Sequence, residues 1–299
     1  MKKLITLVSL MMLAALVLSA CGGGPTADNL LDDVKNRGYI LVSTDPNYEP
    51  QSFLIPDGKR VSGTKCPSDA LTTGEMQGFD VDVAIAVGEA LGVETCFATP
   101  DWDVITAGNW ADKWDVSIGS MTITTARQEV LDFSVPYYYT PAVFAVHADS
   151  DYASIDDLAG MAICAGASTT YEIWLSKGDH GLPAASIYAE PPADISVVPL
   201  VTDQECAQAM AAGREDFAAY VTSQTVVNAN VAAGLPVKQL GSPVFSEDLA
   251  PSYDRASTLP TASLRAEIDK IITGMHDDGT LSSLSMEWFG EDITMDPTQ

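Results

Sequence analysis

Basic side chains are scarce in this chain: 15 lysines and arginines stand against 41 aspartates and glutamates, for a formal net charge of −26. A surface so acidic repels polyphosphates and anionic headgroups, so nucleic acid and acidic lipid are poor partners. Histidine is almost missing, with His147, His180 and His276 dispersed, and neither a CxxC nor an HxxxH spacing occurs. Metal binding is therefore a weak reading, and no cofactor is expected. No Cys-His or Ser-His motif is present either, and the acids are scattered, which argues against a catalytic centre. Past the N-terminus there is no apolar stretch approaching the roughly 20 residues that cross a bilayer. Internal repeats, coiled-coil heptads and low-complexity runs are also lacking.

What the chain does have begins at its first residue. Met1-Lys2-Lys3 precedes an apolar run from Leu4 to Leu18, and Ser19-Ala20-Cys21 follows. Positive charge, a short apolar core and small residues are the order of a secretory signal peptide, expected over residues 1–20. Leu18-Ser19-Ala20-Cys21 also resembles a bacterial lipobox, in which Cys21 becomes the acylated first residue of the mature chain. Each buried acyl methylene contributes about 0.8 kcal/mol, and a stable anchor needs more than one chain. The competing expectation is a secreted protein with an unmodified cysteine. Gly22 to Asn29, with three glycines and a proline, reads as a flexible tether, and the lipid-anchor segment is assigned to residues 21–35.

The roughly 279 residues that remain exceed the size at which one core keeps growing, so two lobes are expected. Four cysteines remain as well, Cys66, Cys96, Cys164 and Cys206, and an even number in an exported protein points to disulfides with three possible pairings.

Along the chain, Tyr39 to Ser43 reads as a buried strand that delivers the loop Thr44 to Pro50 to a cleft. Gly78-Phe79-Asp80-Val81-Asp82 opens a helix running to Leu91, with acids at its positive end and Gly92 as its stop. A strand over Val93 to Ala98 leads to Asp101-Trp102-Asp103, and a helix-like segment is expected to end at Trp114. The next strand carries Ser117 to Thr122. Alternating strands and helices imply a mostly parallel α/β lobe whose ligands sit outside the carboxyl ends of the strands. Asp45, Tyr48, Trp102, Ser120 and Thr122 fall at such ends. Arg127, a rare cation placed among hydroxyls and small residues, is a candidate carboxylate clamp, because guanidinium offers two parallel N–H donors.

Pro141 to His147 reads as a strand crossing to a second α/β series. That series contains Met161 to Cys164, a helix start at Gly166 to Glu172, Val197 to Leu200, a helix from Asp203 to Ala212, and Phe217 to Val221. The hydroxyls of Ser168, Thr169 and Thr170 suit either plain helix capping or anion binding at a helix N-terminus. Gly241 to Asp254 reads as the return crossing, and Leu264 to Trp288 as a helical region packed on the first lobe. Lobe one is thus expected over 36–140 and 245–299, and lobe two over 141–244, joined by a two-strand hinge. This division favours Cys66 with Cys96 and Cys164 with Cys206.

Several separated motifs, Thr44-Asp45-Pro46-Asn47-Tyr48, the Gly78 to Asp82 element, Asp115 to Arg127, Gly166 to Glu172, Asp278-Gly279-Thr280 and Glu287-Trp288-Phe289-Gly290, occur together and in order. In this respect the mature chain resembles family 3 of the bacterial extracellular solute-binding proteins, the polar amino acid receptors of ABC importers. The resemblance implies a two-lobe, type II periplasmic-binding-protein fold of the α/β class. It also implies a monomeric receptor outside the cytoplasm, lipid-anchored, that closes on a small ligand and presents it to an ABC permease. By the same resemblance Arg127 grips the ligand carboxylate, and Gly119, Ser120 and Thr122 offer backbone and hydroxyl groups to the headgroup. Thr170 donates from lobe two, and Asp45, Tyr48 and Trp102 face the ligand side chain. The family aspartate that takes the ligand ammonium, a few residues past its Gly-Arg-x-Asp-Ala element, has no counterpart: after Gly213-Arg214-Glu215-Asp216 the position falls at Val221 or Ser223. Ser223 is the candidate there. The segment Lys59 to Gln77 is longer than the usual connection and is expected at the cleft rim. A receptor feeding a separate sensor and, more remotely, an enzyme on the same fold share this architecture.

Overall fold

The computed structural model describes residues 27–297. The expected signal peptide, the lipidation site Cys21 and the start of the tether lie outside them. The end of the expected tether is no tether. Leu30–Arg37 is a helix, α1, capped by the Asn29 side chain on the Asp32 N–H and stopped by Gly38. Leu30 and Val34, one turn apart, are buried against the C-terminal helical region. Two apolar residues in one turn are too short a pattern to stand out beside a glycine-rich stretch, yet they suffice to dock the helix.

The first α/β series runs β1 (Tyr39–Ser43), β2 (Asn47–Tyr48), β3 (Ser52–Leu54), β4 (Leu71–Thr72), β5 (Met76–Gln77), α2 (Phe79–Leu91), β6 (Glu94–Ala98), α3 (Trp102–Thr106), β7 (Val116–Ser117), α4 (Thr125–Gln128) and β8 (Leu131–Phe133). The second runs β9 (Tyr138–His147), β10 (Ala162–Gly166), α5 (Thr170–Leu175), β11 (Ser196–Leu200), α6 (Asp203–Ala211), β12 (Ala219–Ser223) and α7 (Gln224–Ala232). It ends in the long β13 (Val237–Leu249), after which come β14 (Ser252–Asp254), α8 (Ala262–Asp277) and α9 (Thr280–Phe289).

Two main sheets result, ordered β4-β6-β1-β7-β14-β8 and β11-β10-β12-β9-β13, beside a small third sheet, β2-β3-β5. Each main sheet has a parallel centre, β6-β1-β7 in one and β11-β10-β12 in the other, with antiparallel strands outside it. The molecule is therefore a two-lobe α/β protein. Val83, Val87 and Leu91 of α2 and Leu264, Ile268, Ile272 and Met275 of α8 close the core of the first sheet, so the C-terminal helices return to it. Phe144, Ile163, Trp174 and Phe245 build a core on one side of the second sheet, and Val143, Cys164, Met210 and Tyr220 build another. β9 and β13 pair antiparallel from His147↔Val237 to Tyr138↔Leu249, with a register shift between Leu240 and Phe245.

The disulfides are Cys66–Cys96 and Cys164–Cys206. The first fastens the 59–77 segment to β6, on which β4 also adds as an antiparallel edge. Arg60 donates to the carbonyls of Cys66, Pro67 and Ala70 inside it. This segment extends a sheet edge and lines none of the cleft described below. The helix expected to reach Trp114 stops at Thr106. Gly108, Asn109, Ala111 and Asp112 all take left-handed backbone conformations, and Asp254 accepts the N–H groups of Asn109 and Trp110. Trp110 and Trp114 are buried against each other in that turn, so their apolar pull serves a loop and not a helix.

Candidate functional site

The carboxyl ends of the parallel strands of both main sheets face one another across a narrow cleft. From the first lobe come Asp45 and Tyr48 after β1, Trp102 after β6, and Gly119, Ser120, Thr122 and Arg127 after β7. From the second come Thr169, Thr170 and Tyr171 after β10, and Val201, Thr202 and Asp203 after β11. Glu247 of β13 completes the lining. Such a position, where neighbouring strands send their connections to opposite sides, is where open α/β sheets bind ligands.

Arg127 is held rigidly. Thr124 caps α4 by accepting the Arg127 N–H, the Nη1 group donates to the Thr122 carbonyl at 3.0 Å, and Nη2 reaches the Ser168 carbonyl of the other lobe at 3.4 Å. Its guanidinium carbon lies 5.5 Å over the Trp102 ring, so Trp102 supports the cation as well as walling the cleft. The side chain is only 6% exposed, and among the described residues no acid lies within ion-pairing distance of it. Burial pulls its pKa down to about 10, against the favourable field of Glu247, and it remains a cation at neutral pH. Two guanidinium N–H donors are spent on neutral carbonyls, and the other donors are free for an anion.

Gly119 sits where a side chain would meet Thr44 Oγ1 at 3.1 Å, which lets the ends of β1 and β7 close up. Ser120 departs from its expected part. Its backbone is left-handed, its hydroxyl donates to Asp80 at 2.6 Å and bonds Tyr138 at 2.7 Å, and its N–H donates to the Tyr137 hydroxyl. The hydroxyl is thus consumed from beneath the cleft. Thr122 offers its hydroxyl to Glu247 and receives one from Thr170 across the lobes. In lobe two, Thr169 caps α5 and also donates to the Gly166 carbonyl. The N–H of Gly166 donates to Asp203 at 2.6 Å, and a side chain on Gly166 would collide with that carboxylate.

Ser223 is the site residue that the structure removes. It is fully buried at the end of β12, bonded to Thr140 and Thr225, and absent from the cleft. Thr225 in turn takes the Gln51 amide of the first lobe, so this hydroxyl chain belongs to the junction between the lobes. The acids in the cleft are others. Glu247 is 2% exposed and accepts from Thr122 at 2.7 Å and Tyr171 at 2.6 Å; burial raises its pKa. Asp203 also accepts from Thr222, and burial pushes its pKa up to about 7. Tyr171, Val201 and Thr202 are likewise not among the expected site residues, whereas Thr169, one of the hydroxyls at that helix start, lines the cleft beside them. The readable signal for Glu247 is strand alternation: Phe245, Glu247 and Leu249 share one face of β13, and an acid between two buried apolar residues marks a special environment. For Asp203 the signal is an acid opening a helix directly past a strand end.

The buried acids set a pH dependence. Asp80, beneath Ser120, is also pushed up to about 7 by burial. An acid whose folded pKa exceeds its unfolded value of about 4 holds its proton more tightly in the fold, so its contribution is fully present below pH 4 and is lost as pH rises toward 7. The ligand-free melting temperature is therefore expected to fall from pH 4 to 7 and then level off. Asp203→Asn, whose amide oxygen takes the Gly166 N–H while its NH2 donates to the Thr222 hydroxyl, should remove up to about 1.4 kcal/mol per pH unit of that slope. Scanning calorimetry across this range checks it; an unchanged slope would show that Asp203 titrates normally.

Over residues 40–291 the chain matches the bacterial extracellular solute-binding proteins, family 3. It is similar to the probable amino-acid-binding protein YxeM of Bacillus subtilis (strain 168), at 28% identity over 298 residues, 99% of this chain and 98% of that protein. It is also similar to the L-cystine-binding protein TcyJ of Escherichia coli (strain K12), at 27% identity over 89% of this chain and 88% of that one. Among solved structures, holo ArgBP from T. maritima superposes with a TM-score of 0.66 and 26% identity, covering 87% of this chain and 100% of that one. An ancestral arginine-binding protein bound to glutamine gives 0.67 and 27%, covering 85% and 99%. A two-lobe fold with a cleft at its strand ends and a match spanning nearly all of the described chain lead to one conclusion: this protein belongs to family 3 of the bacterial extracellular solute-binding proteins.

Proposed function

We propose that the protein is the substrate-binding lipoprotein of an ABC importer, which captures a polar amino acid or related carboxylate by hinge closure and delivers it to the permease. The family acts outside the cytoplasm, and the relatives are named as amino-acid-binding proteins, not as enzymes. One observation carries the carboxylate part of the reading: a buried guanidinium in the interlobe cleft with only carbonyl partners. Taking a charge out of water is costly unless it is paired, and a ligand carboxylate is the missing partner. Hinge closure is supported by contacts that join residues of both lobes around the cleft, Thr170 to Thr122, Arg127 to Ser168 and Tyr171 to Tyr48. In this reading lobe one spans 36–140 and 245–299, lobe two spans 141–244, and β9 and β13 form the hinge. Cys21 carries the lipid anchor.

The direct test is a thermal-shift and calorimetric screen of the mature chain against the common amino acids, their derivatives and simple carboxylates. A carboxylate-bearing solute is expected to raise the melting temperature by several degrees at concentrations well above its Kd. Stabilisation by sugars or oligopeptides, with no response to amino acids or carboxylates, would sink the reading.

A further inference from the structure

The headgroup of a zwitterion needs one cation and one anion side by side, and the cleft provides both on a single residue's flanks. Thr122 accepts the Arg127 guanidinium on its carbonyl and donates its hydroxyl to Glu247. A carboxylate on Arg127 and an amine on Glu247 would thus be separated by about the span of one residue. Glu247 stands in for the acid that has no counterpart at Val221 or Ser223. It lies on β13, a strand that pairs with β9 at the junction of the lobes, so its carboxylate reports directly on their relative position.

After Arg127 and Glu247 are matched to a headgroup, two more carboxylates remain in the same cleft, Asp45 from lobe one and Asp203 from lobe two. Among the described residues neither they nor Glu247 lie within ion-pairing distance of a lysine or arginine. Asp45 accepts only the Asn47 N–H, on Oδ1, leaving its other oxygen open to the cleft. It lies within electrostatic reach of Asp203, Asp101 and Glu205. Because Asp45 and Asp203 come from different lobes, closure presses like charges together. A neutral ligand leaves that repulsion in place, whereas a cation between them removes it.

We infer that the ligand is an amino acid of net positive charge, with its α-carboxylate on Arg127, its α-ammonium on Glu247 and a second cationic group between Asp45 and Asp203. This rests on the amino acid reading of the cleft. Tyr48, half-buried beside Asp45, would line the aliphatic stem, as long cationic side chains keep an apolar stem along an apolar wall.

Calorimetric titration of the mature chain with isosteric pairs tests it: L-arginine against L-citrulline, whose urea is neutral, and L-lysine against L-norleucine. The charged member of at least one pair is expected to bind about 10-fold or more tightly than its neutral isostere. Asp45→Asn should bring that ratio close to one. Glu247→Gln should weaken both members alike, since both carry the α-ammonium. Neutral isosteres that bind as tightly as their charged partners would overturn the inference and leave the amino acid site standing, as would L-cystine, with equal numbers of ammonium and carboxylate groups, binding more tightly than either cation. A ratio untouched by Asp45→Asn would also overturn it. Absence of binding by every α-amino acid would instead remove the reading on which it rests. Melting temperatures of the variants within a few degrees of the parent separate lost contacts from lost folding.

Discussion

Arg127→Ala is expected to weaken the carboxylate ligand by about 2 to 5 kcal/mol, a change of about 30-fold to several thousand-fold in Kd. The range follows from what truncation leaves behind. The ligand carboxylate would be closed into a cleft with Asp45, Asp203 and Glu247 and no cation. The variant also removes the interlobe bond to the Ser168 carbonyl and uncovers one face of Trp102. Arg127→Lys keeps the charge but offers a point cation in place of a planar fork, so it should recover part of the loss and not all of it. Because α4 is capped by the Thr124 side chain on the backbone N–H of residue 127, either variant can keep the local fold. Titration calorimetry of parent and variants with the ligand found by screening measures the effect directly. An unchanged Kd for Arg127→Ala would take the guanidinium out of the site.

How far the site could be read in advance depended on where its residues sit relative to regular elements. Asp45, Trp102 and Thr122 follow directly from the rule that parallel strands present their carboxyl ends to ligands, because β1, β6 and β7 form the parallel centre of the first sheet. Ser223 obeys the same rule and still fails, since β12 ends at the junction of the lobes, where Thr140, Thr225 and Gln51 absorb its polarity. Strand ends alone do not say which parallel strand opens on the cleft. Strand alternation marks Glu247 as unusual, but its place in the cleft is not legible for a different reason. It lies two residues from the end of a 13-residue strand, and only the pairing of β13 with β9 carries it to the cleft. The helix expected up to Trp114 misled because buried tryptophans at 110 and 114 have helical spacing, while the left-handed residues between Gly108 and Asp112 have no strong sequence mark except Gly108 and Asn109. The two-lobe α/β architecture itself was legible because it depends on the alternation of whole elements, which survives errors at individual ends.

The disulfides separate stability from binding, because the two bonds occupy different places in that architecture. Cys164–Cys206 closes 42 residues of sequence and Cys66–Cys96 closes 30. In the chain-entropy model, replacing either pair by alanines should lower the unfolding free energy by about 4 kcal/mol, slightly less for the shorter loop. Urea unfolding of each double variant measures that, and a loss well under about 1 kcal/mol would mean that the unfolded chain gains little freedom. Their effects on ligand affinity should diverge. Cys164 lies on β10, just before Gly166 and Thr170, and Cys206 lies on α6, one turn from Asp203. That bond therefore ties together the two lobe-two elements that meet through the Gly166 N–H and the Asp203 carboxylate. Its loss frees them to separate at the cleft, and affinity should fall along with stability. Cys66–Cys96 fastens an edge segment that lines no part of the cleft, so its loss should lower stability and leave the Kd of the folded protein unchanged. Equal losses of affinity in both double variants would mean that the cleft depends on global stability instead of on the local clamp between β10 and α6.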